Sequence, residues 1–245
     1  GTPMSRLDML IRRSRRRAAE EVQRLADLTA PPKTMPELRR KVGGLWEEMG
    51  NHQFDFLVAQ GLEPDDRLLD VGCGVLRGGR HFVRYLDAGN YCGIDIAAEM
   101  IDGAEQQLVE DGLADKRARL RVTEEFDVDF GRPFDYAIAQ SVFTHLPMNS
   151  IYRALANVSA NLDEGGVFYA TFFRGPDGPE RLMPIQQPCL EGRTSVRTVA
   201  DRNHYHYSPQ DFIRLCENLP LTVTDIGDWG HPRGQQMLAL TRTTA

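Results

Sequence analysis

Several things are scarce in this sequence, and each scarcity excludes something. Only four cysteines occur in 245 residues, Cys73, Cys92, Cys189 and Cys216. They form no Cys-x-x-Cys pair and have no histidine at zinc-finger spacing, so neither a disulfide framework nor a structural zinc site is indicated, and a reducing cytoplasm is the expected location. Long hydrophobic runs are missing too. None approaches the ~20 apolar residues that cross a bilayer, and the N-terminus has no apolar stretch between its charges and a cleavage site, which argues against secretion and membrane insertion. Positive charge is not in excess. With 29 Lys and Arg against 35 Asp and Glu, a net −6, a sequence-independent grip on nucleic acid is not expected, because such binding rests on many cations neutralising phosphates. A small neutral or cationic partner fits that balance better. Gly1, Thr2 and Pro3 ahead of Met4 read as an expression scar.

What is present is the composition of a folded domain, 41% hydrophobic with ordinary glycine and proline. From Ser5 to about Leu28, Leu7, Leu10, Ile11, Ala18, Val22 and Leu25 recur at helical spacing among Arg12, Arg13, Arg15, Arg16, Arg17 and Arg24. This predicts an amphipathic helix, ended by Pro31 and Pro32. Residues 1–50 are therefore expected to be an N-terminal helical extension and 51–245 the main domain. Helices are predicted at Pro36 to Val42 and Asn51 to Gln60. The chain then alternates: strands at Arg67 to Val71, Tyr91 to Ile96, Arg119 to Thr123, Phe134 to Ser141 and Gly166 to Phe173, with helices at Gly79 to Leu86, Ala97 to Leu113 and Asn149 to Leu162. Such alternation predicts βαβ units and a parallel sheet. Residues 174–207 break the rhythm and read as an insertion or lid. Ser208, Pro209 and Asp211 match a helix start. Leu221 to Trp229 and Gln235 to Arg242 then form strands too closely linked to be anything but an antiparallel hairpin.

The richest signal is Asp70-Val71-Gly72-Cys73-Gly74-Val75-Leu76-Arg77-Gly78-Gly79. An apolar strand running into glycines and then a helix lets a ligand lie against bare backbone. Asp95 ends the next strand some twenty residues on, where a carboxylate can hold both hydroxyls of a ribose. The loop departs from the dinucleotide fingerprint, with Leu76 where a third glycine would fall. Asp70 would repel a pyrophosphate but suits the ammonium of an amino-acid tail.

These residues, with the Phe134-Asp135-Tyr136-Ala137-Ile138-Ala139-Gln140-Ser141-Val142-Phe143-Thr144-His145-Leu146 segment, resemble the ordered motifs of class I S-adenosylmethionine-dependent methyltransferases. The resemblance implies a Rossmann-like α/β fold, a seven-stranded sheet with helices on both faces and an antiparallel last strand. It also implies that Asp70, Gly72 and Gly74 line the methionine moiety, that Asp95 holds the ribose, and that Gln140 and Ser141 border the cofactor. Glu124 or Glu125 is its nearest candidate for adenine. The first loop together with the His-Tyr-His-Tyr-Ser and His-Pro-Arg-Gly-Gln segments is most similar to bacterial O-methyltransferases of saccharides and natural products.

A hydroxyl acceptor must lose its proton, and histidine suits that task near neutrality. His145 follows the fourth strand and is the first candidate base; His204 and His206 are the alternatives. If 203–207 is extended, the two histidines point one way and Tyr205 and Tyr207 the other, placing one pair toward the acceptor, with an aromatic plug as the other role for the tyrosines. Trp229, His231 and Arg233, with Trp46 and His52, are further candidates for the acceptor wall. His204 and His206, with Asp201 or Glu191, could instead supply ligands to a divalent cation. The expected activity is S-adenosylmethionine-dependent O-methylation of a small acceptor, a saccharide by the resemblance. The rivals are an RNA or protein methyltransferase docking through Arg12 to Arg17 and a non-catalytic S-adenosylmethionine-binding regulator.

Overall fold

The computed structural model describes residues 34–244, so the arginine-rich helix expected over Ser5 to Leu28 lies outside the described residues. Two helices come first, α1 (Met35–Lys41) and α2 (Trp46–Ala59). The alternating part follows as β1 (Leu68–Val71), α3 (Gly79–Tyr85), β2 (Tyr91–Asp95), α4 (Ala98–Glu110), β3 (Arg119–Val122), β4 (Phe134–Ala139), α5 (Met148–Asn161) and β5 (Leu162–Phe172). After β5 come a short strand pair, β6 (Ile185–Gln186) and β7 (Arg197–Thr198), then α6 (Pro209–Cys216), β8 (Leu221–Asp228) and β9 (Gln236–Arg242).

Seven strands make one sheet in the order β3-β2-β1-β4-β5-β9-β8. Neighbours from β3 to β5 run parallel, while β9 is antiparallel to both β5 and β8. This is the Rossmann-like seven-stranded sheet that the sequence resemblance implied, with its antiparallel last strand. The physical cause is legible: helix-length segments between β1 and β5 permit parallel crossovers, whereas the short link from β8 to β9 permits only a hairpin.

Adjacent strand residues serve opposite faces, as a pleated strand requires. Leu69, Ala137, Phe168 and Leu240 join the core built with Ile151, Leu155 and Val158 of α5 and Phe212 of α6. Leu68, Ile138, Tyr169 and Ala239 join the core built with Leu57 of α2, Phe82 of α3 and Ile101 and Leu108 of α4. Burial on both faces explains why the parallel strands are nearly continuous apolar runs. The start of α6 matches the sequence reading, since the Ser208 amide donates to Asp211 Oδ2 at 2.9 Å.

Position 50, where the boundary was expected, lies inside α2. From Met35 onward the chain is one compact unit, and α2 runs straight through positions 50 and 51. Met35 and Leu38 pack against Val75 and Met100, so α1 buries an apolar face on the glycine-rich loop and on α4. The insertion at 174–207 is tied down rather than free. Gln187 Nε2 donates to Thr198 Oγ1 at 2.8 Å and to the Arg174 carbonyl at 3.1 Å, and the Gly175 amide donates to the Tyr207 carbonyl at 2.9 Å.

Candidate active site

Strand order reverses between β1 and β4, and at such a switch point the loops leaving the two strands diverge and open a crevice. There the molecule has a cavity of about 640 Å³, lined by Asp70, Gly72 and Gly74 after β1, by Asp95 of β2, and by Gln140, Ser141 and His145 after β4. Volumes of this order suit small-molecule ligands.

The glycine-rich turn is built around left-handed backbone. Gly72 has φ +74° and Gly74 φ +53°. A Cβ on Gly72 would lie 2.5 Å from Val142 Cγ2, and one on Gly74 2.8 Å from Val42 Cγ1. Asp95 braces this turn: its Oδ2 accepts the Gly74 amide at 3.0 Å and its Oδ1 accepts the Ala97 amide at 2.9 Å. It therefore fixes the turn that leads into α4 and still lines the cavity. Asp70 is buried and accepts the Tyr91 hydroxyl at 2.7 Å. Burial first, then the Asp95 charge, outweighs that hydrogen bond and raises its carboxyl to about 6. A buried carboxylate beside bare backbone fits the ammonium end of an amino-acid tail. Glu124 lines the cavity near Ile96, Ala97 and Met100, whereas Glu125 pairs with Arg153. Of the two adenine candidates, only Glu124 faces the site.

Gln140 and Ser141 sit in a buried polar network. Ser141 adopts φ +60°, unusual for a residue with a side chain. Its amide donates to Thr171 Oγ1 at 2.7 Å, and its hydroxyl and that of Thr171 both donate to Gln235 Oε1, at 3.0 and 2.7 Å. His231 Nδ1 accepts the Arg233 and Gln235 amides at 3.1 and 3.4 Å, so the ring proton is on Nε2. Burial, followed by the charges of Arg77, His52 and Arg233, pushes His231 down to about 3 and keeps it neutral. His231 Nε2 lies 3.0 Å from Gln140 Nε2, which donates to Ser141 Oγ at 3.1 Å. His231 is thus a neutral brace of the wall.

His145 and His204 both line the cavity, both exposed, with ring centroids 4.8 Å apart. His145 Nδ1 is 2.8 Å from Asn203 Oδ1. An amide oxygen only accepts, so His145 holds its proton on Nδ1 and keeps a lone pair on Nε2. Burial, and then the His145 and Arg233 charges, lower His204.

Five expected site residues lie elsewhere. His206 is buried, with Nδ1 2.9 Å from Thr198 Oγ1 and Nε2 2.7 Å from the Arg181 carbonyl. Both nitrogens are occupied in holding the insertion together, which removes His206 as a base and as half of a metal pair. Among the described residues no three His, Cys, Asp or Glu side chains converge as a metal site. Tyr207 is buried and donates to the Leu146 carbonyl at 2.6 Å, stacking on Tyr205 at 5.9 Å. The pair lines a separate hollow beside Pro147 and Leu215 and not the cavity that holds His145 and His204. Trp229 packs on His52 and Phe56 and donates to the Gln235 carbonyl at 3.1 Å. Trp46 lies under the guanidinium groups of Arg39 and Arg80.

Sequence reasoning missed the Gly43 to Leu45 wall, Arg77, Val196, Thr171 and Gln235. The paired glycines Gly43-Gly44 between two helical patterns were the available signal for the first. The others carry no local mark.

A family profile described as a methyltransferase domain matches residues 69–168. Among solved structures, the S-adenosylmethionine-bound amino pentose methyltransferase CalS10 of Micromonospora echinaspora, involved in calicheamicin biosynthesis, is similar over 88% of this chain and 99% of its own, at 18% identity and TM-score 0.58. The sugar N-methyltransferase KedS8 of a Streptoalloteichus species matches 88% of this chain and 95% of its own, at 18% identity and TM-score 0.59. Magnesium protoporphyrin IX methyltransferase of Synechocystis with bound S-adenosylmethionine matches 80% and 81%, at 15% identity and TM-score 0.55.

Proposed function

For a chain that carries a methyltransferase domain on the fold of the S-adenosylmethionine-dependent methyltransferases, we propose methyl transfer to a hydroxyl of a small acceptor, a saccharide, with His145 as the base. The bound cofactor supplies a methyl group on a sulfonium, an electrophile that needs no further activation. The protein's part is to hold the two reactants in line, exclude water and take a proton, and alignment alone can lower such barriers by several kcal/mol.

Asp70, Gly72, Gly74 and Asp95 hold the cofactor in this reading, with Gln140 and Ser141 along its side. The observation that carries the reading is the His145 to Asn203 bond. It fixes the tautomer whose Nε2 lone pair is available to accept the hydroxyl proton. His204, lining the same cavity, remains the second candidate. An amine acceptor, as in the sugar N-methyltransferase among the structural neighbours, is the competing chemistry. The cavity wall disfavours it, because Arg77 and Arg233 would repel an ammonium group.

The test is labelled methyl transfer to pooled mono- and oligosaccharides, amino sugars, phenols and RNA. Transfer to a saccharide hydroxyl is expected. His145→Ala should lower kcat by about 10²–10⁴-fold with S-adenosylhomocysteine affinity retained. Exclusive transfer to an amine or to RNA, or a His145→Ala enzyme of unchanged kcat, contradicts the reading.

A further inference from the structure

The cavity wall carries two guanidinium groups that form no ion pair among the described residues, although Asp70 and Asp95 line the same wall. Every other arginine in a described ion pair lies outside the cavity, whereas Arg77 and Arg233 line it and are matched only by main-chain carbonyls. Arg77 Nη1 donates to the Val42 and Gly44 carbonyls at 2.8 and 3.0 Å, and Arg233 Nη2 donates to the Gly43 carbonyl at 2.7 Å. Those bonds fix the side chains but neutralise nothing, and each group keeps further N–H donors. Bringing two like charges together on a cavity wall is unfavourable unless an anion lies between or beside them.

The cofactor accounts for only one such anion. Its α-carboxylate adjoins the ammonium group assigned to Asp70, and Arg77 belongs to the same glycine-rich turn and lines the cavity with Asp70. Arg233 belongs to the β8–β9 link, donates its amide to His231 Nδ1 at 3.1 Å and lines the cavity together with His145 and His204. It therefore stands on the acceptor side of the cavity, near the histidine pair.

We infer that the acceptor carries an acidic group, a carboxylate or a phosphate, and that Arg233 is the specificity-determining residue that holds it. A planar, permanently charged guanidinium anchored through one nitrogen offers its other N–H groups as a fork for such an anion. The overall negative charge of the chain pointed to a neutral or cationic partner, but net charge describes the far field and the wall describes contact. The inference rests on the acceptor reading above for the location of the site, not for the saccharide or the base.

The experiment is calorimetry on the full chain loaded with S-adenosylhomocysteine, using matched acid and neutral probes. These are D-glucuronate and glucose 6-phosphate against D-glucose, and 4-hydroxybenzoate against 4-hydroxybenzamide. At least one acid should bind roughly tenfold tighter than its neutral partner. Arg233→Gln should erase that preference, Arg233→Lys should restore part of it, and S-adenosylhomocysteine affinity should change less than about threefold. Glucuronate and glucose 6-phosphate separate a carboxylate from a phosphate. Preference confined to the benzoate pair keeps the acidic acceptor and removes the saccharide. The inference is overturned if no acid binds at millimolar concentration, if neutral partners bind equally, or if Arg233→Gln loses S-adenosylhomocysteine instead.

Discussion

Gly74 donates its backbone amide to Asp95 Oδ2 at 3.0 Å, joining the turn after the first strand to the end of the second. One carboxylate thus braces the turn, holds the Ala97 amide just ahead of α4 and still lines the cavity. Asp95→Ala should therefore weaken S-adenosylhomocysteine by tenfold or more, measured by calorimetry. It should also cost the free protein about 1–3 kcal/mol in denaturant unfolding, the range for hydrogen bonds to a charged group. A variant that binds normally would separate the brace from the site.

Gly72→Ala combines a left-handed φ of +74° with a Cβ 2.5 Å from Val142 Cγ2. The backbone term alone is on the order of 1–2 kcal/mol. Adding Val142→Ala should recover the steric part of the stability loss and leave the backbone part, as a thermal-unfolding cycle would show.

Asp70 binds its proton more tightly in the folded chain, near pH 6, than in the unfolded one. Its ionised form therefore costs the free protein stability above about pH 6. That cost is relieved as the pH falls from 6 toward the ordinary carboxylate range. At ~1.36 kcal/mol per pH unit the penalty at neutrality is on the order of 3 kcal/mol. Asp70→Asn should raise the melting temperature of the cofactor-free protein at pH 7.5, with the gain shrinking below pH 6. Cofactor binding should move oppositely: in the wild type it should weaken as pH drops through 6, and in the variant it should be weak throughout.

Asn203 touches no reactant in the proposed reaction but sets the tautomer of His145. Asn203→Ala should lower kcat by roughly tenfold while leaving the acceptor KM and the cofactor dissociation constant alone. A purely structural role would move those binding constants together with kcat.

His206→Ala removes two buried hydrogen bonds, to Thr198 and to the Arg181 carbonyl. A stability loss of about 2–3 kcal/mol is expected in urea unfolding. Turnover per folded molecule should be close to that of the wild type, which is where His206 and His145 part.

That Asp70, Gly72, Gly74 and Asp95 line one cavity was legible because their signals are local. Strand, glycine turn and helix follow one another within a dozen residues, and the acid of the next strand stands at a spacing that one crossover fixes. The hairpin of β8 and β9 was legible for the same reason, a link too short for any other connection. The acceptor half was not. His145, His204, His206 and His231 looked equivalent as letters, and alternation along 203–207 grouped His204 with His206. In the fold, Thr198 and Arg181 claim the second ring while the first lines the cavity.

By itself the sequence determined the α/β alternation, the glycine turn and the carboxylate that follows it, since periodicity and short-range spacing dictate backbone conformation and the direction of a connection. Only the tertiary structure decided which ionisable groups meet. Arg233 reaches the Gly43 carbonyl across 190 positions of chain, and His145 reaches Asn203 across 58. Whether a histidine is a base, a brace or a bolt depends on what its two nitrogens find there, and those partners are assembled by packing rather than by proximity along the chain.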